Sequence, residues 1–94
     1  MADFLPQLEQ IVRDRQSAPR EGSYTSSLFA AGTPRVAQKV GEESVEVIVA
    51  ALAQDRERQI EETADLLFHL LVLLAQLGIS LDDVGAELVR RHRA

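Results

Sequence analysis

Two acidic clusters stand close together in the middle of this sequence. Glu42, Glu43 and Glu46 form the first, and Glu62 and Asp65 form the second. On an α-helix, positions i, i+3, i+4 and i+7 share one face. Lys39, Glu42, Glu43 and Glu46 have that spacing. Glu62, Asp65 and His69 sit at i, i+3 and i+7, and Arg58 extends their stripe backwards by one turn. Carboxylates gathered on facing helices repel one another unless a cation lies between them. Two pairs of hard oxygen donors suit Mg²⁺ or Mn²⁺, and Mg²⁺ typically also binds substrate phosphates. Such a centre neutralises a polyphosphate and positions a water for in-line attack. The chain has no cysteine. It also shows no serine in a recognisable nucleophile pattern, so direct attack by water is the economical mechanism.

The elements that must hold these residues are two helices folded back on each other around a turn centred at Gln54. In an antiparallel hairpin, residues equally far from the turn lie level. That places Glu43 beside Asp65, Glu46 beside Glu62, and Lys39 beside His69. Acidic helix faces are often merely solvated, but two matched pairs flanked by apolar residues (Val45, Val47, Ile48 and Val49) favour a cleft. Glu43, Glu46, Glu62 and Asp65 are the candidate metal ligands. Glu42 is a further ligand or the group that orients or deprotonates the water. Lys39 either pairs with a phosphate oxygen or simply offsets the acids. His69 is a core histidine satisfied by Asp65 one turn earlier, a partner that orients that carboxylate, or a group reaching the substrate.

Composition narrows the class. Ninety-four residues imply one domain, residues 1–94. Hydrophobic residues make up 46% but aromatics only 4%, an aliphatic core that fits helix packing. No stretch alternates with period two, so the expected fold is all-α. The net charge of −5 argues against general nucleic-acid binding, though not against a nucleotide held through a metal. Without cysteine there is no disulfide framework or zinc thiolate site. The apolar run Leu66 to Leu77 is shorter than the roughly 20 residues a membrane span needs. With no signal pattern at the N-terminus, the expected location is the cytoplasm.

Taken in order, Asp3 is placed to cap a first helix whose stripe is Phe4, Leu5, Leu8, Ile11 and Val12, ending near Gln16. Ser17 to Gly22 reads as a loop carrying Arg20. Ser23 or Thr25 caps a short helix ending at Gly32. Its hydroxyls, Tyr24 and Thr25 among them, serve capping or hydrogen bonding to a nucleotide. Thr33-Pro34 reads as an N-cap followed by proline at the first helical position, and this helix runs to about Ala53. Gly41 inside it points to close approach by a ligand or a crossing helix. Gln54 to Arg58 makes the turn, and the next helix runs to Gly78. Leu66 to Leu77 is apolar nearly all round and has to be buried on all sides. A partner chain is the simplest cover, giving a four-helix bundle across a two-fold axis. Ser80 with Asp83 forms a capping-box variant for a last helix, Leu81 to about His92. Its basic end, Arg90-Arg91-His92-Arg93, suits a helix C-terminus or catches substrate phosphates.

Several strings then resemble a known family. Glu42-Glu43-Ser44-Val45-Glu46 followed by Glu62-Thr63-Ala64-Asp65 is similar to the EExxE…ExxD signature of the all-α, MazG-like nucleoside triphosphate pyrophosphohydrolases. Gly22-Ser23-Tyr24-Thr25, Leu28-Phe29, Lys39-Val40-Gly41-Glu42-Glu43 and Ala64-Asp65-Leu66-Leu67-Phe68-His69-Leu70-Leu71 resemble the phosphoribosyl-ATP pyrophosphohydrolases of histidine biosynthesis, over roughly residues 4 to 92. The resemblance implies a homodimer. It also implies Mg²⁺-dependent hydrolysis between the α and β phosphates of phosphoribosyl-ATP, releasing pyrophosphate and phosphoribosyl-AMP. Under it Glu43, Glu46, Glu62 and Asp65 match the ligand positions, Glu42 and Lys39 fall to catalysis, and Lys39, Tyr24, Thr25 and His69 to substrate binding. Gln38 stands where the family often has a first lysine, and Phe68 where it usually has tyrosine. With no further extension and no cysteines for a cyclohydrolase zinc, the chain looks like the stand-alone form. A house-cleaning enzyme for (deoxy)nucleoside triphosphates shares the acidic pairs, and a non-catalytic helical dimer is the alternative outside catalysis.

Overall fold

A computed structural model describes residues 4–93. Five helices follow one another: α1 (Phe4–Ser17), α2 (Tyr24–Ala31), α3 (Thr33–Ala53), α4 (Arg56–Leu77) and α5 (Leu81–Arg93). The described residues contain no strand, so the fold is all-α. The proposed Asp3 cap lies outside the described residues.

Local chemistry sets most of the boundaries. Ser23 caps α2, its Oγ accepting from the Ser26 amide at 3.1 Å. Gly32, at φ +93°, closes α2 and opens α3. The cap of α3 is therefore Gly32, one residue before the expected Thr33, and it supplies no side-chain cap hydrogen bond. Pro34 still lies in the first turn, where its missing N–H costs nothing. Asp55 caps α4 through its Oδ1, which accepts from the Arg58 amide at 3.0 Å. At the other end Gly78 takes the left-handed conformation at φ +71°, and the Ile79 amide donates back to the Leu74 carbonyl at 2.9 Å. The expected capping box on α5 is present and reciprocal. Ser80 N–H donates to Asp83 Oδ2 at 2.9 Å and Asp83 N–H to Ser80 Oγ at 3.0 Å. Those bonds hold the Asp83 carboxyl below its ordinary range.

The hairpin of α3 and α4 is the most extensive packing in the chain, and α1 and α2 lie against it. Val12, Leu28, Val36, Leu71, Val72 and Ala75 form the buried core. One expectation about this core is corrected. The chain's own first three helices cover most of the apolar Leu66–Leu77 stretch, so Leu71 and Val72 are 5% and 0% exposed. The bare apolar surface lies mainly on α3, at Val45, Ile48, Val49 and Leu52, and on α4 at Ile60 and at Leu67 and Leu77, the two ends of that stretch. Of the two readings of Gly41, the crossing helix is not met within the chain: among the described residues nothing lies within 4 Å of a Cβ placed there.

Candidate functional site

The site stands on the hairpin, and the turn fixes the register. Beyond the Asp55 cap, Gln59 Nε2 donates to the carbonyls of Ala50 and Gln54, each at 3.1 Å. This clamp ties the start of α4 to the end of α3. With the register set, one carboxylate oxygen each from Glu43, Glu62 and Asp65 lies within 4.8 Å of the others. Glu43 and Asp65 meet as their equal distance from the turn requires, and Glu62 joins them from one turn along α4. Glu46 is exposed and is not part of this group. Three of the four expected ligands therefore converge.

Burial is uneven across the three. Glu62 is only 5% exposed, Glu43 is half-buried and Asp65 is open. A buried carboxylate without a counter-charge is costly, and here two cations supply it. Lys39 Nζ lies 3.4 Å from Glu43 and 3.5 Å from Glu42. Arg58 Nη2 lies 2.5 Å from Glu62, and its Nη1 lies 3.2 Å from Glu61. Each cation reaches the acids three and four residues ahead on its own helix. Burial alone would pull the Lys39 ammonium down. The Glu43 hydrogen bond and charge, the Tyr24 phenol where it ionises, and the Glu42 hydrogen bond outweigh this and raise it. Lys39 therefore stays protonated wherever the fold is intact near neutrality.

Glu42 is not one of the three converging acids. Gln38 Nε2 donates to its Oε2 at 3.1 Å, and Arg35 and Lys39 approach at 3.9 and 3.5 Å. Gln38 thus orients Glu42 where a second lysine would add charge.

His69 is 5% exposed and spends both ring nitrogens. Nδ1 is 2.7 Å from the Asp65 carbonyl, an acceptor only, so Nδ1 carries a proton and donates it. In the neutral ring Nε2 then accepts from the Tyr24 hydroxyl at 2.9 Å. The partner of His69 is the Asp65 backbone and not its carboxylate, which removes the idea that His69 orients that carboxylate directly. Phe68 supports the same corner, edge-on to His69 at 5.1 Å and stacked with Tyr24 at 6.2 Å. Among the α2 hydroxyls, Ser26 Oγ accepts from the Arg20 amide at 2.9 Å and Ser27 Oγ donates to the Tyr24 carbonyl at 2.5 Å. With Ser23 capping, these three serve the backbone. Thr25 Oγ1 has no hydrogen-bond partner among the described residues.

Two contacts escaped sequence reasoning. The Gln59 clamp had no signal, because a glutamine near a turn is ordinary. The Tyr24–His69 bond joins residues 45 apart in sequence. The Arg58–Glu62 pair was legible as i, i+4 spacing on the acidic stripe.

The donor set fits a hard divalent cation. Two oxygens on opposite sides of Mg²⁺ sit about 4.2 Å apart, given metal–oxygen distances of about 2.1 Å. Oxygens within 4.8 Å reach that spacing by small side-chain rotations. Glu43, Glu62 and Asp65 could hold such an ion, and Lys39 at their edge is placed for an anionic ligand.

Comparison with known proteins identifies the family. The family model described as phosphoribosyl-ATP pyrophosphohydrolase matches residues 5–92. The chain is 57% identical over 93 residues to a phosphoribosyl-ATP pyrophosphatase of Metallosphaera sedula, covering 99% of this chain and 100% of that protein. It is 56% identical over 86 residues to the protein of that name from Pyrobaculum aerophilum, covering 92% of each. It is also 53% identical over 90 residues to the histidine biosynthesis bifunctional protein HisIE of Vibrio cholerae. That match covers 96% of this chain and only 43% of the longer protein's length. On this match over nearly its whole length, the chain belongs to the phosphoribosyl-ATP pyrophosphohydrolase family.

Proposed function

We propose that this chain hydrolyses phosphoribosyl-ATP to phosphoribosyl-AMP and pyrophosphate, in the second step of L-histidine biosynthesis. The observation that carries the reading is the convergence of Glu43, Glu62 and Asp65 from two helices, with Glu62 buried. Relatives covered along nearly their whole length bear the matching name. The reaction consumes one water, whose oxygen joins phosphorus as the bond to the pyrophosphate leaving group breaks.

Glu43, Glu62 and Asp65 would hold Mg²⁺ (Mn²⁺ also suits them), with Glu46, exposed on the same stripe of α3, as the fourth candidate ligand. The bound cation supplies charge neutralisation for the triphosphate. Lys39 adds a fixed ammonium for a phosphate oxygen and is held in place by Glu42 and Glu43. Glu42 accepts the proton of the attacking water, its carboxylate oriented by Gln38. Tyr24, Thr25 and His69 form the substrate-binding corner beside Lys39. The Tyr24 hydroxyl is aimed by His69, and Thr25 offers a hydroxyl.

The working form is a homodimer in the cytoplasm. Support comes from the bare apolar stripe on the hairpin. Leu52 is 83% exposed, and Val45, Ile48 and Ile60 are each 57% exposed. A shallow cavity of about 360 Å³ runs beside them, lined by Arg56, Gln59, Ile60, Thr63, Ala64 and Leu67. Fully burying a large apolar side chain contributes about 1.5–3 kcal/mol, and covering this half-exposed strip by a second hairpin offsets part of the cost of association. Among the described residues no single helix is long and apolar enough to cross a membrane.

The deciding experiment is pyrophosphate release with Mg²⁺, comparing phosphoribosyl-ATP with a panel of common nucleoside and deoxynucleoside triphosphates. Selective turnover of phosphoribosyl-ATP is expected. Turnover of the common triphosphates instead would move the chain to a house-cleaning role. Silence on every substrate from a folded dimer would leave a non-catalytic module.

A further inference from the structure

We propose that Arg58 is a displaceable counter-cation, which holds Glu62 in the metal-free protein and yields it to the divalent ion. The proposal rests on the reading of Glu43, Glu62 and Asp65 as a cation site. It assigns a role to a residue that stands outside the acidic signature.

Lys39 and Arg58 occupy equivalent places in sequence, each bonded to acids three and four residues ahead. Their surroundings differ. The Lys39 side chain is 20% exposed and sits between two acids, whereas the Arg58 side chain is 50% exposed. Arg58 is anchored outside the cluster by Glu61 alone, itself 50% exposed. Releasing Glu62 therefore costs Arg58 little, because it keeps Glu61 and gains water. The Glu62 side chain, 7% exposed, has no such freedom and needs a positive partner at all times. A divalent ion among the three carboxylates supplies that charge more strongly than a guanidinium at one oxygen. With both present, two positive centres would crowd one carboxylate and repel.

The consequence is competition. Arg58 stabilises the empty site and weakens the binding of the ion. This sets a threshold below which the cluster stays closed by its own arginine.

The test is direct Mn²⁺ binding by calorimetry on the full chain, without substrate, for the unaltered protein, Arg58→Gln, Arg58→Lys and Arg56→Gln. The last makes the same charge change two residues away. Arg58→Gln is expected to bind Mn²⁺ about three- to tenfold more tightly, the scale of one partly screened charge pair. Arg58→Lys should fall between, since an ammonium cannot span Glu61 and Glu62 as the fork does. Arg56→Gln should change little. Melting supplies a second readout. In EDTA, Arg58→Gln should melt below the unaltered protein, and saturating Mn²⁺ should close or reverse that gap.

Unchanged or weaker Mn²⁺ binding in a folded Arg58→Gln would overturn the proposal, weaker binding meaning that Arg58 orients Glu62 for the ion. Equal loss of Tm with and without Mn²⁺ would also overturn it, making the arginine purely structural. Failure of the unaltered protein to bind Mn²⁺ would overturn both this inference and the cation site beneath it.

Discussion

The two halves of α4 carry the same kind of stripe and meet different fates. Ile60 and Leu71 lie eleven residues apart, three turns along one face of the helix. Leu71 is 5% exposed and Ile60 is 57% exposed. The difference comes from what the rest of the chain can reach. Val12 of α1 and Leu28 of α2 share one buried cluster with Leu71, Val72 and Ala75 of the C-terminal half of α4, and among the described residues that cluster takes no residue from the N-terminal half. Chemistry divides along the same helix. Glu62, Asp65 and Arg58 occupy the sparsely covered half, where Glu43 of α3 meets them. His69, at the boundary, is buried and fully hydrogen-bonded. One half is a core element, and the other is a platform that shows the acidic group on one side and a bare apolar strip on another.

Substitutions can break or sharpen this division. The largest effect is expected at Glu62→Gln, which should reduce pyrophosphate release by about 10²–10³-fold, as when one preorganised electrostatic group is removed. Circular dichroism should show helicity nearly intact. Loss of the fold would instead make the residue structural. On the covered half, Leu71→Ala should lower the unfolding free energy by about 2–5 kcal/mol in urea titration. An Ile60→Ala cost of the same size in the isolated monomer would erase the contrast between the halves. Leu52→Asp tests the bare strip. It should leave monomer stability within about 0.5 kcal/mol and weaken self-association by tenfold or more in sedimentation. An unchanged association constant would place any dimer contact elsewhere.

Smaller effects test the periphery. Tyr24→Phe removes the bond to His69 and should cost about 1 kcal/mol, with a larger effect on KM than on kcat. Asp83→Ala removes half of the α5 capping box. The folded carboxyl lies below its ordinary value of 3.8, so its contribution is present above that value and lost as pH falls through the folded one. The Tm gap between Asp83→Ala and the unaltered protein should be small at neutral pH and vanish in strong acid. A gap that persists there would mean the substitution acts by helix propensity alone.

What could be read before the fold was known was whatever depends on spacing along one helix or distance from one turn. The all-α class, the hairpin, the Glu43–Asp65 level and the Ser80–Asp83 box are of this kind. The cap of α3 slipped by one residue because Gly32 serves two helices at once, an economy that local pattern does not reveal. The site was legible in outline and not in its packing. A helical wheel places Glu46 on the acidic face but cannot say that its carboxylate stands apart from the other three. Spacing pairs His69 with Asp65 one turn back but does not name the atom. The bond goes to the Asp65 carbonyl and not its carboxylate, and Tyr24 takes the other nitrogen. Hydropathy ranks Leu66–Leu77 highest but carries no information on where α1 and α2 will dock, so it does not separate Leu71 and Val72, which the core buries, from Leu67 and Leu77, which stay exposed.

The most direct test of the central claim is anomalous scattering from a crystal of the full chain grown with Mn²⁺. A peak within coordination distance of Glu43, Glu62 and Asp65 is predicted, with the Arg58 guanidinium moved off Glu62. A well-ordered site with no peak there, or a peak on other residues, would contradict the account.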